Sequence, residues 1–364
     1  MSLVPRHIQE LESYKPGLNI AEVRKEFGLD RIIKLASNEN PTGPSPKALE
    51  EVQRTLHHNF RYPDAAALLL REKLAEKFSI RIENVTVGAG SEGVMSAIMR
   101  TFLRFGDEII AADNSFIGFR VLANASGIRT NWVPLKRYYH DLPAMTEHIN
   151  NYTKIIYLAN PDNPTGTYFT VNEFDTFMNQ VPNRVLVIID EAYFEYAVYL
   201  QDYPDSMYYR YDNVITLRTF SKAHGLAGFR VGYGFAHNNL INNLMKVKLP
   251  FEPSWPAQVA AIAALDDASY IQNTVDLCHK EMKKLMMVFH ELKIEVIPSS
   301  ANFLTLVFEG VQEAESFNQS MLQRGIILRD LSGWGLPDCI RITVGLEEEN
   351  EYLIECLSKA LSET

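Results

Sequence analysis

Between residues 84 and 220 the chain repeats one pattern: a short run rich in Val and Ile, a segment with helical apolar spacing, then another short run. The runs are NVTVG at 84–88, EIIAA at 108–112, KIIYLAN at 154–160, RVLVIID at 184–190 and NVITLRTF at 213–220. Unbroken apolar runs of this kind describe strands covered on both faces. Strands that alternate with helices predict an α/β fold, a mostly parallel sheet flanked by helices and joined by right-handed crossovers. The helical stretch SEGVMSAIMRTFLRFG takes Ser91 as its expected N-cap and Gly106 as its expected stop.

Beyond Pro256 the pattern changes. AQVAAIAALDDASYIQNTVDLCHKEMKKLMMVFHELK keeps a helical period for longer than a typical globular helix, so a bend or break is expected within it. EVIPSSANFLTLVF, GIILRD and CIRITVG then read as strands around a helix at 312–323. The expected organisation is an N-terminal segment, 1–30, packing with the small domain or a partner subunit. A large domain would span 31–256, and a smaller α+β domain 257–364.

Composition narrows the function classes. With 364 residues, 46% of them hydrophobic, the chain can bury a sizeable core, and a formal charge of -10 argues against a nucleic-acid footprint. The three cysteines, Cys278, Cys339 and Cys356, form no CxxC pair, which points to neither a disulfide framework nor a zinc site. The opening MSLVPRHIQELESYKPG lacks the apolar core of a secretory leader, and no stretch approaches the roughly 20 apolar residues of a membrane span. A cytoplasmic protein is expected. None of the nine histidines shows metal-ligand spacing, so no metal is expected.

Two motifs invite a nucleotide reading. Gly88, Gly90 and Gly93 in VTVGAGSEGVM satisfy GxGxxG after a strand and before a helix, and Asp113 ends the next strand. That spacing fits a dinucleotide, another phosphate held at a helix start, or a tight structural turn. VLVIID, ending in Asp190, resembles a Walker B strand, but the chain has no GxxxxGK[ST], which removes nucleotide hydrolysis. A carboxylate at the end of a buried strand either caps that strand or meets a cation. NPDNPTG at 160–166 packs prolines, asparagines and a glycine into a turn at the sheet's carboxyl edge, where open α/β proteins place ligands.

Lys222 stands just past the apolar run VITLRTF. Burial there lowers the pKa of an amine and makes it a nucleophile able to form a Schiff base. A carbonyl cofactor with a phosphate and a ring nitrogen would use all of these features. Lys222 would take the aldehyde, Asp190 the protonated ring nitrogen, and Asn163 and Tyr193 the ring hydroxyl oxygen. Gly90, Ser91, Ser221 and Arg230 would hold the phosphate. That cofactor is pyridoxal 5′-phosphate, an electron sink whose proton traffic Lys222 would manage.

Seven stretches in order, LASNENPTGPSP at 35–46, RYPD at 61–64, GAGSEG at 88–93, NPDNPTG, IIDEAYFEY at 188–196, RTFSKAHGLAGFRVGY at 218–233 and IRITVG at 340–345, resemble the fold type I pyridoxal-phosphate enzymes. Within them the resemblance is to the histidinol-phosphate aminotransferases, over essentially the whole chain. It implies that Phe116 of NSFIGF stacks on the cofactor ring, that Glu92 and Thr219 join the cofactor site, and that Tyr62 of RYPD reaches the partner's cofactor phosphate in a homodimer. It further implies that Arg341 grips the substrate's acidic group, that Asn38 lines the cavity, and that Tyr14 and Arg329 contact a substrate phosphate. Ser91, Glu92, Phe116 and His224 depart from the family's commonest residues. The implied activity is ping-pong transamination between L-histidinol phosphate and 2-oxoglutarate. Aromatic amino acid transamination and amino-acid-phosphate decarboxylation on the same scaffold are the near alternatives. A dinucleotide-dependent oxidoreductase is the distant one.

Overall fold

The computed structural model describes residues 3–11, 13, 17–209 and 211–362. Strand β1 (Ile33–Lys34) comes first; β2 (Val85–Gly88), β3 (Glu108–Ala112), β4 (Arg129–Val133), β5 (Thr153–Ala159), β6 (Leu186–Asp190), β7 (Val214–Thr219) and β8 (Gly232–Ala236) follow. The last seven form one sheet in the order β2-β8-β7-β6-β5-β3-β4. All its pairings are parallel except the two made by β8. The expected α/β class and all five expected runs are present.

Both faces of this sheet are covered, which is why its runs are unbroken in the sequence. Ile109, Tyr157, Ile188 and Ile215 pack on one side with Val94, Met95 and Ile98 of the helix Gly90–Phe102. Their strand neighbours Ile110, Ile156, Val187 and Ile189 pack on the other side with Phe174 and Phe177. Successive residues of a strand face opposite ways, so each run serves two cores.

Strand β8 was not among the expected runs because GYGFA carries two glycines, which weaken a strand. The structure shows their use. A Cβ at Gly232 would lie 2.3 Å from the backbone nitrogen of Ser91, so only glycine lets β8 approach the start of the helix Gly90–Phe102. That helix also corrects two expected ends. Its N-cap is Ala89, which supplies no side-chain hydrogen bond, and Ser91 lies inside the first turn. Its C-cap is Leu103, in an extended conformation, and Gly106 belongs to the turn that follows.

The expected break in the long helical stretch occurs at Asp266 and Asp267, between helices Trp255–Leu265 and Ala268–Glu291. Ser254 caps the first of these, and its Ala257, Ala260, Ala261 and Ala264 pack with Leu70, Leu74 and Val85 beside the large sheet. The second lies over the small sheet through Val275, Met282, Leu285 and Phe289. The change of packing thus falls about ten residues past Pro256, at the acidic pair.

The second sheet consists of β9 (Glu295–Ile297), β10 (Phe303–Val307), β12 (Arg329–Asp330) and β13 (Cys339–Thr343), antiparallel in the order β12-β13-β10-β9. Strand β11 (Ile326–Ile327) pairs in parallel with β1, and Val23 of the helix Ile20–Phe27 packs with Ala36 and Ile327. No helix among the described residues is long and apolar enough to cross a membrane.

Candidate active site

The carboxyl ends of the parallel strands converge on one cavity of about 220 Å³. It is lined by Ser91 and Glu92 after β2, Phe116 after β3, Asn163 after β5, Asp190 and Tyr193 at the end of β6, Thr219 at the end of β7, and Ser221 and Lys222 just past it. Arg230, just ahead of β8, lines it as well, as do Ser37 and Glu39.

Asp190 closes β6 and is 4% exposed. Tyr157 donates its hydroxyl hydrogen to Asp190 Oδ2 at 2.8 Å, while Oδ1 is buried without a hydrogen-bond partner. Burial pushes this carboxyl up to about 7. The Tyr157 hydrogen bond opposes the rise, and Glu92 and Glu191 add to it. A buried acceptor of this kind is costly unless a donor or cation meets it.

The Lys222 amine forms no hydrogen bond or ion pair among the described residues; its Nζ lies 5.6 Å from the centre of the Tyr193 ring. Burial, with Arg341 adding, lowers its amine from the usual 10.5 to about 8. A substantial neutral fraction therefore exists near pH 8, which a solvated lysine lacks.

Around this pair the side chains hold one another in place. Asn38 donates from Nδ2 to the Tyr193 hydroxyl at 2.9 Å, and burial pushes that phenol up to about 12. Arg341 on β13 donates from Nη1 to Asn163 Oδ1 and from Nη2 to the Ala36 carbonyl at 3.0 Å. Thr219 donates to Ser221 Oγ at 2.9 Å.

The other end of the cavity holds a helix start and an arginine. The helix Gly90–Phe102 begins there with no side-chain cap, so its first N–H groups are open to an anion. Arg230 reaches the same place, its Nη2 3.1 Å from Glu92 Oε2. Gly90 is needed here: its φ is +74°, and a Cβ would lie 2.8 Å from Arg230 Nη2.

Other expected residues stand apart from the cavity wall. Asn38 is buried behind Tyr193 and takes a left-handed φ of 54°, so its neighbours Ser37 and Glu39 line the cavity in its place. Arg341 meets the cavity through Asn163. Arg329 lies on β12 directly opposite Arg341, and Tyr62 is 81% exposed, stacked on Phe251 with centroids 4.4 Å apart. Tyr14 lies outside the described residues.

Sequence reasoning missed Tyr157, hidden as one more apolar residue of KIIYLAN. It also missed the wholly buried Arg218, which pairs with Glu191 at 2.8 Å and Asp205 at 2.7 Å and lies 3.3 Å from the centre of the Phe194 ring. An arginine inside a strand otherwise apolar, four residues before the lysine, was the available signal.

A cavity at the carboxyl edge of a mostly parallel sheet, holding an unpaired amine and a half-paired carboxylate, can take an aldehyde at one and a cation at the other. The chain belongs to the aminotransferase class I and II family, which it matches over residues 30–357. It is 41% identical over 362 residues to the histidinol-phosphate aminotransferase of Geobacillus sp. strain WCH70, covering 99% of this chain and 98% of that one. It is 40% identical over 364 residues to that of Anaeromyxobacter sp. strain Fw109-5, covering 99% of this chain and 100% of that one. Among solved structures it is similar to histidinol-phosphate aminotransferase from Sinorhizobium meliloti in complex with pyridoxal-5′-phosphate, with a TM-score of 0.91 and 25% identity over 100% of this chain and 98% of that one. Thermus thermophilus aspartate aminotransferase shares the fold, with a TM-score of 0.85 at 18% identity over 99% of this chain and 100% of that one.

Proposed function

We propose that this chain is a pyridoxal 5′-phosphate-dependent transaminase that exchanges an amino group between L-histidinol phosphate and 2-oxoglutarate, giving imidazole acetol phosphate and L-glutamate, a reaction of histidine biosynthesis. The observation that carries the reading is the unpaired Lys222 amine in one cavity with the buried, unpartnered Asp190 Oδ1. Identities of about 40% over the full length of histidinol-phosphate aminotransferases favour it over the alternatives on the same scaffold.

The residues present fit that cofactor. Asp190 Oδ1 lacks the donor that a protonated ring nitrogen provides, and the uncapped helix start beside Arg230 lacks the anion that a phosphate provides. Gly90, Ser91, Ser221 and Arg230 would hold the phosphate, with Thr219 and Glu92 beside them, Phe116 the ring face, and Asn163 and Tyr193 the ring oxygen. Bound pyridoxal phosphate supplies an electron sink for negative charge at the substrate's α carbon.

The chain's own groups do the rest. Asp190 holds a positive charge at the ring nitrogen. Lys222 Nζ would hold the cofactor's aldehyde end and, once displaced by substrate, would take the proton from the substrate's α carbon and pass it to the cofactor side; an amine titrating near 8 can accept and release a proton at neutral pH. Arg341 and Arg329 bind the substrate's acidic group, with Tyr14 as a further donor, and Asn38 orients the Tyr193 hydroxyl.

The same reading includes a cytoplasmic homodimer of two-domain subunits. The small domain would start at the Asp266–Asp267 break, a boundary favoured by the packing of the helix Trp255–Leu265. Phe60, Tyr62, Leu69 and Phe251 leave large apolar surfaces exposed, which supports a partner subunit there and Tyr62 as a contact to the partner's cofactor.

Four measurements test the proposal. Purified protein should be yellow, glutamate should shift its absorbance, and borohydride should fix the cofactor on Lys222. With 2-oxoglutarate as acceptor, L-histidinol phosphate should outcompete phenylalanine and threonine phosphate. Protein that stays colourless after incubation with the cofactor, or that prefers phenylalanine, contradicts it.

A further inference from the structure

Arg329 and Arg341 are register partners on the antiparallel strands β12 and β13. Like charges placed directly opposite across a strand pair are destabilising, and a partner shared by both guanidinium groups would offset that cost. Trp334 is placed to do so. It lies in the helical turn Ser332–Trp334 that joins the two strands and is 4% exposed. The Arg329 guanidinium carbon is 4.8 Å and the Arg341 guanidinium carbon 5.7 Å from the Trp334 ring centre, and Arg341 also lies 5.2 Å from the Phe303 ring centre. Both Trp334 distances fall within reach of a cation–π attraction, for which tryptophan is the strongest side chain.

The Trp334 backbone is held by the turn after β3. Asn114 donates from Nδ2 to the Trp334 carbonyl at 2.7 Å, and Asn114 belongs to the same turn as Phe116. Gly335 permits this approach: its φ is +76°, and a Cβ there would lie 2.7 Å from Asn114 Nδ2. The shared tryptophan thus links the turn leading to Phe116 with the two arginines.

We propose that Trp334 is a positioning residue that sets Arg329 and Arg341 as a single dianion-binding unit, favouring a phosphate-bearing substrate over a monocarboxylate. The inference rests on the reading, given above, that these arginines grip the substrate's acidic group. Two guanidinium groups beside one indole ring present a concentrated positive field, which a phosphate dianion satisfies more fully than a single carboxylate.

The test measures binding of inorganic phosphate to the holoenzyme by calorimetry, together with KM and kcat for L-histidinol phosphate. It uses Trp334→Leu, Trp334→Phe and a series of fluorinated tryptophans at position 334, which weaken the ring quadrupole while keeping its shape. The expected result is phosphate affinity weakened roughly tenfold in Trp334→Leu and less than about threefold in Trp334→Phe, the size of a partly desolvated cation–π contact. Affinity should fall stepwise with fluorination, and KM should follow it while kcat stays within about threefold. A flat fluorination series, or Trp334→Phe falling as far as Trp334→Leu, overturns the inference, and the fluorinated proteins keep it testable should Trp334→Leu misfold. Arg341→Gln separates the two layers: if it leaves phosphate binding intact, the substrate reading itself fails, whereas lost binding beside a flat fluorination series removes only the role of Trp334.

Discussion

Tyr157 and Asp190 share a single carboxylate oxygen: the phenol donates to Oδ2 at 2.8 Å and leaves Oδ1 of the same group buried with no partner. One half of the carboxylate is oriented and the other is free for a cation. Asp190→Asn should lower kcat/KM by about 10²–10³-fold, the usual loss on removing one preorganised electrostatic partner. Tyr157→Phe should cost about ten- to a hundredfold, since a buried hydrogen bond to a charged group is worth about 1.5–3 kcal/mol. Steady-state kinetics of both variants check this, and equal losses would deny Tyr157 a merely supporting part.

Cofactor uptake should depend on pH through Lys222. Only the neutral amine attacks an aldehyde, and burial with help from Arg341 sets its pKa near 8. The rate at which apoprotein turns yellow should climb with pH and level off above a midpoint of about 8. Arg341→Gln removes a positive neighbour and should move that midpoint upward. Stopped-flow absorbance from pH 6 to 10 reads both, and a midpoint near 10.5 would mean an ordinary solvated lysine.

The stability of the apoprotein should carry the mark of Asp190. Its pKa is raised in the folded state from 3.8 to about 7, so between those values the folded chain binds more protons than the unfolded one. Stability is therefore retained below pH 4 and lost as pH rises through 7. By linkage the loss reaches on the order of 4 kcal/mol. Asp190→Asn should abolish it, making the inactive apoprotein more stable than wild type at pH 8 and about equal near pH 4. Urea unfolding at the two pH values distinguishes this from a difference that does not vary with pH.

Arg218 is fully buried between Glu191, Asp205 and the Phe194 ring. Arg218→Met leaves Glu191 buried and uncompensated, which should destabilise the fold by about 3–5 kcal/mol. Replacing Glu191 with Gln in the same chain should recover part of that loss. Chemical denaturation of the single and double variants measures the coupling.

Much of this protein was legible in one dimension because its central strands are buried on both faces, and such strands announce themselves as continuous apolar runs. Polar residues at the ends of those runs, Asp190 after VLVII and Lys222 after VITLRTF, stand out for the same reason. Strand β8 was not legible, because its glycines answer to a contact with Ser91 that lies far away in the sequence. Tyr157 looked like core until the fold turned its hydroxyl toward Asp190. Residue identity determined the chemical groups available, and their order along the chain determined the parallel sheet. Which groups meet was decided only in three dimensions: Asn163 with Arg341, Asn38 with Tyr193, and both arginines with Trp334. Side-chain contacts between distant segments depend on register and packing, which leave no periodic trace in a sequence.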